Sequence, residues 1–175
     1  KTQQIWVKRV MSGKQPTADI SKFKREEDID RKGKMKDYVS ASQLVLVQVA
    51  KEPISTKGPR LTAEVSLPGR YLVLVPFSDK VSLSSRIKGE KERSRLRRLM
   101  QSIQPPGFGI IVRTVAENKG SADLHTDLQD LVDRWQKLYS NLKSAKPGKR
   151  VLGEVNQVSA VLRDVMTKSC TAIHV

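Results

Sequence analysis

Cysteine is almost absent from this chain of 175 residues, which has only Cys170. A single thiol excludes an internal disulfide and a zinc site of four thiolates, and it fits a reducing compartment in which thiols stay free. No apolar run approaches the roughly 20 residues that a helix needs to span a bilayer, and the first residues are neither a signal peptide nor an initiator methionine. We therefore expect a soluble, cytoplasmic chain that has been taken from a longer protein.

The sequence also lacks the motifs of several enzyme classes. It has no G-x-x-x-x-G-K-[ST] phosphate loop, no G-x-S-x-G elbow and no G-x-G-x-x-G fingerprint, so nucleotide hydrolysis and acyl transfer have no support. Its two histidines, His125 and His174, have no cysteine or carboxylate at metal-ligand spacing. We expect His125 to lie on the solvated face of a helix.

Four aspartates recur at steps of three or four residues: Asp123, Asp127, Asp130 and Asp133. On a helix this spacing puts them on one face, which is one way to build a metal site. We interpret them instead as the polar face opposite a leucine stripe, where such carboxylates are ordinary. The chain is thus expected to contain no metal ligand and no catalytic residue.

Positive charge is abundant. The chain has 33 Lys and Arg against 18 Asp and Glu, a formal net charge of +15 and a pI near 10.1, and the excess is concentrated in residues 1–120. Such a charge indicates a polyanionic partner, either a nucleic acid or an acidic protein. The competing interpretation is a generally basic surface that serves solubility.

The first half of the chain reads as a charged segment followed by strands. Residues 11–42 are polar with few apolar anchors, which predicts a mobile insertion or a long loop. Residues 44–49 are a nearly unbroken aliphatic run, which predicts a strand buried on both faces. Alternation resumes at 60–65, Pro68 and Gly69 force a turn, and a further strand is predicted at 71–75.

The second half alternates helices and strands. Apolar residues at helical spacing predict a helix from Glu90 to Ile103, ended by the prolines at 105 and 106, and residues 109–115 read as a buried strand. Ser121 can cap a long helix that ends before Pro147. Its leucine stripe is Leu124, Leu128, Leu131, Trp135, Leu138 and Leu142. Residues 155–165 favour another helix and 172–175 the start of a strand.

Three residues at strand ends are candidates for binding a phosphate. Gly69 lies in a turn between strands, where a backbone N–H can approach a ligand closely, while the Arg113 guanidinium and the Thr114 hydroxyl can donate to phosphate oxygens. The plain alternative is that Gly69 only makes a turn and Arg113 only pairs with a surface carboxylate. Composition alone favours that alternative.

Three segments resemble the ribonuclease E/G family, and within it the shorter ribonuclease G type. They are residues 61–76 (LTAEVSLPGRYLVLVP), residues 109–116 (GIIVRTVA) and residues 45–60 (VLVQVAKEPISTKGPR). The resemblance covers roughly residues 43–175. It implies an α+β fold in which partial strands of an S1 barrel of the OB type precede a small mixed sensor subdomain with a long amphipathic helix.

The resemblance also implies domain bounds and a function. Residues 1–62 would be a partial S1 RNA-binding region with a long charged insertion, 63–148 the 5′-sensor subdomain, and 149–175 part of an RNase H-like subdomain. The function implied is recognition of the 5′-monophosphate of single-stranded RNA within an endoribonuclease of RNA processing and decay. The Gly69 backbone and the Arg113 and Thr114 side chains would hold the phosphate.

Further contacts follow from the same resemblance. Val73 would pack against the terminal base, Lys57 matches an RNA-contacting position at the end of the S1 barrel, and Arg86 matches a basic residue beside the sensor. The first half of the S1 barrel, with its stacking aromatics, is missing or replaced by residues 1–42.

The family's catalytic DNase I-like subdomain, whose aspartates bind magnesium, has no counterpart here, nor does its cysteine pair for interchain zinc. We therefore expect this chain to bind no cofactor and not to cleave RNA alone. The resemblance allows a homo-oligomer in the full-length protein. The alternative function is a non-enzymatic RNA- or ribosome-associated protein without end sensing, and an adaptor for an acidic protein ranks last.

Overall fold

A computed structural model describes residues 32–38, 40, 41, 43–142 and 144–153, together with 158, 161, 162, 165, 166, 170–172 and 174. Most of the charged segment at 11–42 lies outside these residues, apart from a short helix α1 (Met35–Tyr38). In the predicted helix at 155–165, the described residues 158, 161, 162 and 165 are helical. Of the strand predicted at 172–175, Ala172 and His174 are described, and neither is in a strand.

The described residues form two sheets. A two-stranded antiparallel ribbon pairs β1 (Gln48–Lys51) with β2 (Arg60–Thr62). A four-stranded mixed sheet has the order β3-β4-β6-β5. Its strands are β3 (Leu67–Pro68), β4 (Leu72–Pro76), β5 (Val81–Leu83) and β6 (Phe108–Val112). β4 is antiparallel to both β3 and β6, whereas β5 runs parallel to β6.

Two helices cover one face of the four-stranded sheet. Helix α2 (Glu90–Ile103) forms the crossover between the parallel strands β5 and β6 and contacts β5, while helix α3 (Ser121–Leu142) contacts β4 and β3. The bounds of α2 are those that the sequence predicts, and α3 begins at Ser121 and ends at Leu142, before Pro147 as expected. The α+β class is confirmed, and no barrel is closed within the described part of the chain. No helix in that part is long and apolar enough to cross a bilayer.

Alternation along the strands separates a core face from an outer face, because successive side chains point to opposite sides of a sheet. Leu72 and Leu74 of β4 and Ile110 and Val112 of β6 are fully buried in one cluster with the helices. The ring of Trp135 from α3 meets Phe77 and Phe108 edge to face, at 5.8 Å between centroids. Helix α3 is therefore fixed against the sheet by its apolar stripe.

The strand predicted at residues 44–49 is wrong in its bounds and in its burial, because only Gln48 and Val49 of that run lie in β1. Within residues 44–49 only Leu46 is buried, while Val47 is 46% and Val49 50% exposed. In the ribbon of β1 and β2 only Gln48 and Thr62 are partly buried, and the Gln48 side chain donates to Ser66 O and accepts from the Ser66 N–H. An unbroken aliphatic run does not reveal how many of its faces are covered.

A clasp between α2 and the loop after β6 fixes a second part of the fold. Glu92 accepts two hydrogen bonds of 2.7 Å from the Arg95 guanidinium and one of 2.9 Å from the N–H of Asn118. Arg95 also donates to Lys119 O at 3.0 Å. Asn118 has a positive φ of 59°, a conformation that asparagine tolerates better than most residues.

The bonds from Arg95 are the main reason that the pKa of Glu92 falls from 4.5 to about 2, with the Asn118 N–H lowering it further and burial opposing the shift. The same pairing raises the pKa of Arg95. Glu92 is thus charged at every pH near neutrality and ties the loop at 117–120 to the helix.

We expect Leu74→Ala to lower the free energy of unfolding by about 2–5 kcal/mol, because Leu74 is fully buried in a strand flanked by two others and its truncation leaves a cavity. The matched control is Ile111→Ala on the outer face of the same sheet, where the side chain is 41% exposed. Its cost should be less than half as large. Urea unfolding with unchanged m values measures both, and equal costs would contradict the assignment of the core face.

The Glu92 clasp predicts a pH dependence with a definite sign. Since the folded-state pKa lies below the ordinary value, the clasp stabilises the fold fully above pH 4.5 and loses its effect as the pH falls toward 2. Near neutral pH we expect Glu92→Gln to cost about 1 kcal/mol, since ion pairs open to solvent stabilise by no more than this.

Urea unfolding of the wild-type chain and the Gln variant, repeated along a series of falling pH, measures that difference. It should disappear toward pH 2. The exposed Glu90, in the same first turn, gives the control Glu90→Gln, which we expect to change little. A difference that stays constant down to pH 2 would show that the Glu92 charge contributes nothing.

Candidate functional site

The site is built on the turn that joins β3 to β4, residues 69–71. Its backbone groups are bonded to three side chains from elsewhere in the chain. The carbonyl of Pro68 accepts a hydrogen bond of 2.9 Å from Arg134, and that of Gly69 accepts one of 2.7 Å from Arg113. The N–H groups of Arg70, Tyr71 and Leu72 all donate to the carboxylate of Asp127. The turn is therefore fixed on both sides.

Arg113 comes to this turn because it directly follows β6, the neighbour of β4. Its backbone N–H donates to Tyr71 O at 2.8 Å. Its Nη1 donates to Gly69 O and, at 3.4 Å, to Arg70 O. Two residues that the sequence placed 44 positions apart, Gly69 and Arg113, are thus in direct contact.

Thr114 lies next to Arg113 at the start of a short 3-10 helix, Thr114–Ala116. Its hydroxyl is 2.9 Å from the hydroxyl of Ser84, whose N–H donates to Val112 O. The Ser84 Oγ also accepts from the N–H of Arg86 at 3.3 Å. The loop with Arg86 is therefore held against the end of β6, and the exposed Arg86 side chain begins two residues from a partner of Thr114.

Arg93 of α2 holds this loop from the other side. Its Nη1 donates to Ser84 O at 3.0 Å and to Ile87 O at 2.9 Å. Of the arginines on α2, Arg93 and Arg95 are thus engaged with loops beside the site, whereas Arg97 and Arg98 are exposed. The helix contributes both structural cations and a basic surface.

Val73 belongs to the outer face of the sheet. The register places it opposite Pro68 of β3 and Ile111 of β6, and Ile111 in turn lies opposite Ser82 of β5. These side chains form a row across the sheet on the face away from the helices. Ile111 was not among the residues predicted for the site; the signal for it is strand register, which the sequence alone does not give.

Lys57 and Gly69 differ from the other predicted site residues in their surroundings. Lys57 lies in the exposed turn of the β1–β2 ribbon, where its backbone pairs with Ile54, in a different sheet from the other candidates. The Gly69 N–H donates to Leu72 O at 2.8 Å. A phosphate would therefore have to share or replace that bond. The ligand-binding roles of both residues remain predictions.

The interpretation of Asp127 as one of four solvated aspartates is wrong. Its carboxylate is partly buried and accepts three backbone hydrogen bonds of 2.8–2.9 Å. Asp127 lies three residues after Leu124 and four before Leu131, which puts it at the border of the apolar stripe and not opposite to it. That spacing is the sequence signal that distinguishes it from Asp130 and Asp133.

The surroundings of the turn are cationic. Arg70 lies over the Tyr71 ring with its Cζ 5.4 Å from the centroid, and Lys119 Nζ lies 5.9 Å from the same centroid. Arg113 and Arg134 add two guanidinium groups. The arrangement can attract and bind an anion next to an apolar sheet face.

The side-chain groups that bind metal ions in proteins have no counterpart among the described residues. The described residues contain no set of three or more His, Cys, Asp or Glu side chains that could hold a metal ion.

Known proteins match this chain over the site and beyond. Residues 66–175 match the model of the Ribonuclease E/G family. Ribonuclease E of a Synechocystis species is 41% identical over 143 residues, which cover 82% of this chain and 21% of that protein. Ribonuclease E of a Nostoc species is 43% identical over 129 residues, covering 74% and 19%.

The relatives include both types of the family. Ribonuclease G of Escherichia coli is 37% identical over 139 residues, which cover 79% of this chain and 28% of that protein. The chain thus spans about a fifth to a quarter of the length of the curated relatives that it matches. The match includes the β3–β4 turn, β6 and both long helices, so it rests on the same elements that form the site. The chain belongs to the ribonuclease E/G family.

Proposed function

We propose that this chain is the RNA-binding portion of an endoribonuclease of RNA processing and decay, and that it recognises the 5′-monophosphate of single-stranded RNA. Arg113 and Thr114 would donate to the terminal phosphate beside the Gly69 turn, and Val73 would pack against the terminal base. The observation that supports this most is the contact between the Arg113 guanidinium and Gly69 O. It joins two predicted phosphate contacts from separate segments in one site.

Chemistry favours a phosphate at this position. In the structure the Arg113 guanidinium donates to neutral carbonyls. A phosphate oxygen carries charge and is a stronger acceptor, so it can compete for the same donor. The Thr114 hydroxyl, 2.9 Å from the Ser84 hydroxyl, can turn to donate to a ligand while Ser84 keeps its backbone contact.

The outer sheet face suits a base. Val73 and Ile111 lie side by side in register and Pro68 extends the same row. Ile111 is half-exposed in the structure. A base that lies on these side chains would remove their apolar surface from water, which is favourable. Such packing does not depend on base identity, which fits recognition of an RNA end and not of a sequence.

The wider assignment is also part of the proposal. We assign residues 63–148 to the 5′-sensor subdomain, 1–62 to a partial S1 region and 149–175 to part of an RNase H-like subdomain. Lys57 and Arg86 would contact RNA outside the phosphate site, and the protein would act in the cytoplasm. Hydrolysis itself would require magnesium ligands outside this chain.

The decisive experiment compares the binding of one short RNA with either a 5′-monophosphate or a 5′-hydroxyl. We expect the wild-type chain to prefer the monophosphate by about tenfold or more, since a charge-assisted hydrogen bond contributes roughly 1.5–3 kcal/mol. Arg113→Ala should abolish this preference and leave residual, salt-sensitive binding. Arg113→Lys should retain a part of it, because it keeps the charge but not the planar fork.

Arg98→Ala on α2 is the matched control, because it removes an exposed arginine. It should weaken both RNAs equally. A preference that survives in Arg113→Ala would overturn the assignment of the phosphate site. Equal binding of both RNAs by the wild-type chain would favour an RNA-associated protein without end sensing.

The exposed arginines of α2 predict a separate, sequence-independent effect. Replacing Arg97 and Arg98 together by Gln should reduce the slope of log K against log salt by up to about 1.4, because each phosphate contact on a single strand contributes about 0.7. The ratio between the two 5′ ends should not change. Fluorescence anisotropy titrations at several salt concentrations measure both quantities, and an unchanged slope would show that this face does not contact RNA.

A further inference from the structure

One carboxylate holds the turn of the proposed phosphate site. Asp127 Oδ1 accepts the N–H of Arg70 at 2.9 Å, and Oδ2 accepts those of Tyr71 and Leu72 at 2.9 and 2.8 Å. The three donors are consecutive in sequence and lie more than 50 residues from the acceptor. Such charge-assisted bonds are about twice as strong as those between neutral groups.

The approach of Asp127 depends on the glycine at position 69. A Cβ built on Gly69 would lie 2.7 Å from Oδ2 and 2.8 Å from Oδ1 of Asp127, closer than real contacts allow. Every other residue at this position would push the turn and the carboxylate apart. This requirement is independent of any ligand and gives Gly69 a second role.

The same turn determines where Arg113 lies. Arg113 donates to Gly69 O and Arg70 O while Asp127 accepts the next three N–H groups. The turn therefore lies between a cation on its carbonyl side and an anion on its N–H side. If the turn moves away from α3, the carbonyls that orient the guanidinium move with it.

We infer that Asp127 is a positioning residue for 5′-phosphate recognition: its carboxylate binds the N–H groups of residues 70–72 and so fixes the turn at residues 69–71, and that turn positions the Arg113 guanidinium. The inference rests on the proposed function and adds to it a residue of α3 that does not touch the RNA. Helix α3 thereby couples the folded core to the specificity of the site.

Asp127→Asn is the direct test, because asparagine has the same shape but only one oxygen, and its amide N–H₂ faces backbone donors. We expect the ratio of 5′-monophosphate to 5′-hydroxyl affinity to fall at least fivefold, while the affinity for 5′-hydroxyl RNA stays within twofold of wild type. Asp130→Asn removes the same charge from the exposed face of the same helix, one turn nearer its carboxyl end. It should leave the ratio unchanged.

Gly69→Ala provides a second variant, which displaces the turn from Asp127 without removing any charge. It should lower the same ratio, because its Cβ points at the carboxylate. All variants are measured well below their melting temperatures, with circular dichroism confirming the folded state. A purely structural role would lower the melting temperature and leave the ratio of the folded protein at the wild-type value.

Combination with Arg113→Lys, which should keep part of the preference, tests whether Asp127 acts through Arg113. If Asp127 acts by orienting the planar guanidinium, Asp127→Asn should lower the ratio less in the Arg113→Lys background than in the wild-type chain. A wild-type ratio in both Asp127→Asn and Gly69→Ala, with Arg113→Ala still abolishing the preference, overturns the positioning role and leaves the function intact. A ratio of one in the wild-type chain overturns the proposed function itself.

Discussion

The backbone of the turn between β3 and β4 has polar groups that no strand can satisfy. The turn packs against α3, where unpaired N–H and C=O groups are costly. Asp127 accepts the N–H groups of residues 70–72, while Arg113 and Arg134 donate to the carbonyls of residues 68–70. Because the partners come from α3 and from the end of β6, satisfying one turn fixes the relative positions of three elements. The site therefore results from the hydrogen bonds that the backbone of this turn requires.

The loops next to the turn follow the same logic with other charges. Glu92 and Arg95 bind the backbone of residues 118 and 119, and Arg93 binds the carbonyls of Ser84 and Ile87. One helix therefore holds both loops that flank Arg113 and Thr114. The basic residues of α2 thus have two roles: some hold the protein's own backbone, and others remain exposed. Net charge alone cannot separate these groups, since a positive balance of +15 counts both equally.

Much of the architecture could be predicted from the sequence, because the long helices carry their signal locally. Apolar spacing gives the bounds of α2 and the course of α3, and the apolar run at residues 71–75 gives β4 to within one residue. The strands β3 and β5 contain only two and three residues, which is too short for a periodic pattern, so they are defined by their neighbours. The prediction that residues 44–49 are buried on both faces is wrong for a related reason, because the segments that cover the faces of a strand lie far away in the sequence.

The candidate site shows the same division between local and distant information. Gly69, Arg113 and Thr114 could be selected because their residue types suit phosphate and they end strands. Asp127 could not be selected by residue type, since its role depends on backbone groups 55 to 57 residues away. Residue type led to the wrong prediction for Asp127, because three further aspartates on α3 have similar spacing but do not bind the turn. Only its place at the edge of the leucine stripe separates Asp127 from them.

In the proposed function, strand register would place the contacts for two chemically different parts of an RNA end side by side. Inward side chains of β4 and β6 form the core, so the alternate residues Val73 and Ile111 must face outward together. Arg113 continues β6 two residues after Ile111 and therefore begins on the same side of the sheet. An apolar surface and a guanidinium group are thus adjacent by strand register, as the proposed contacts with a base and a phosphate require. Neither can shift without disturbing the buried residues between them, so the core itself sets the distance between the two contacts.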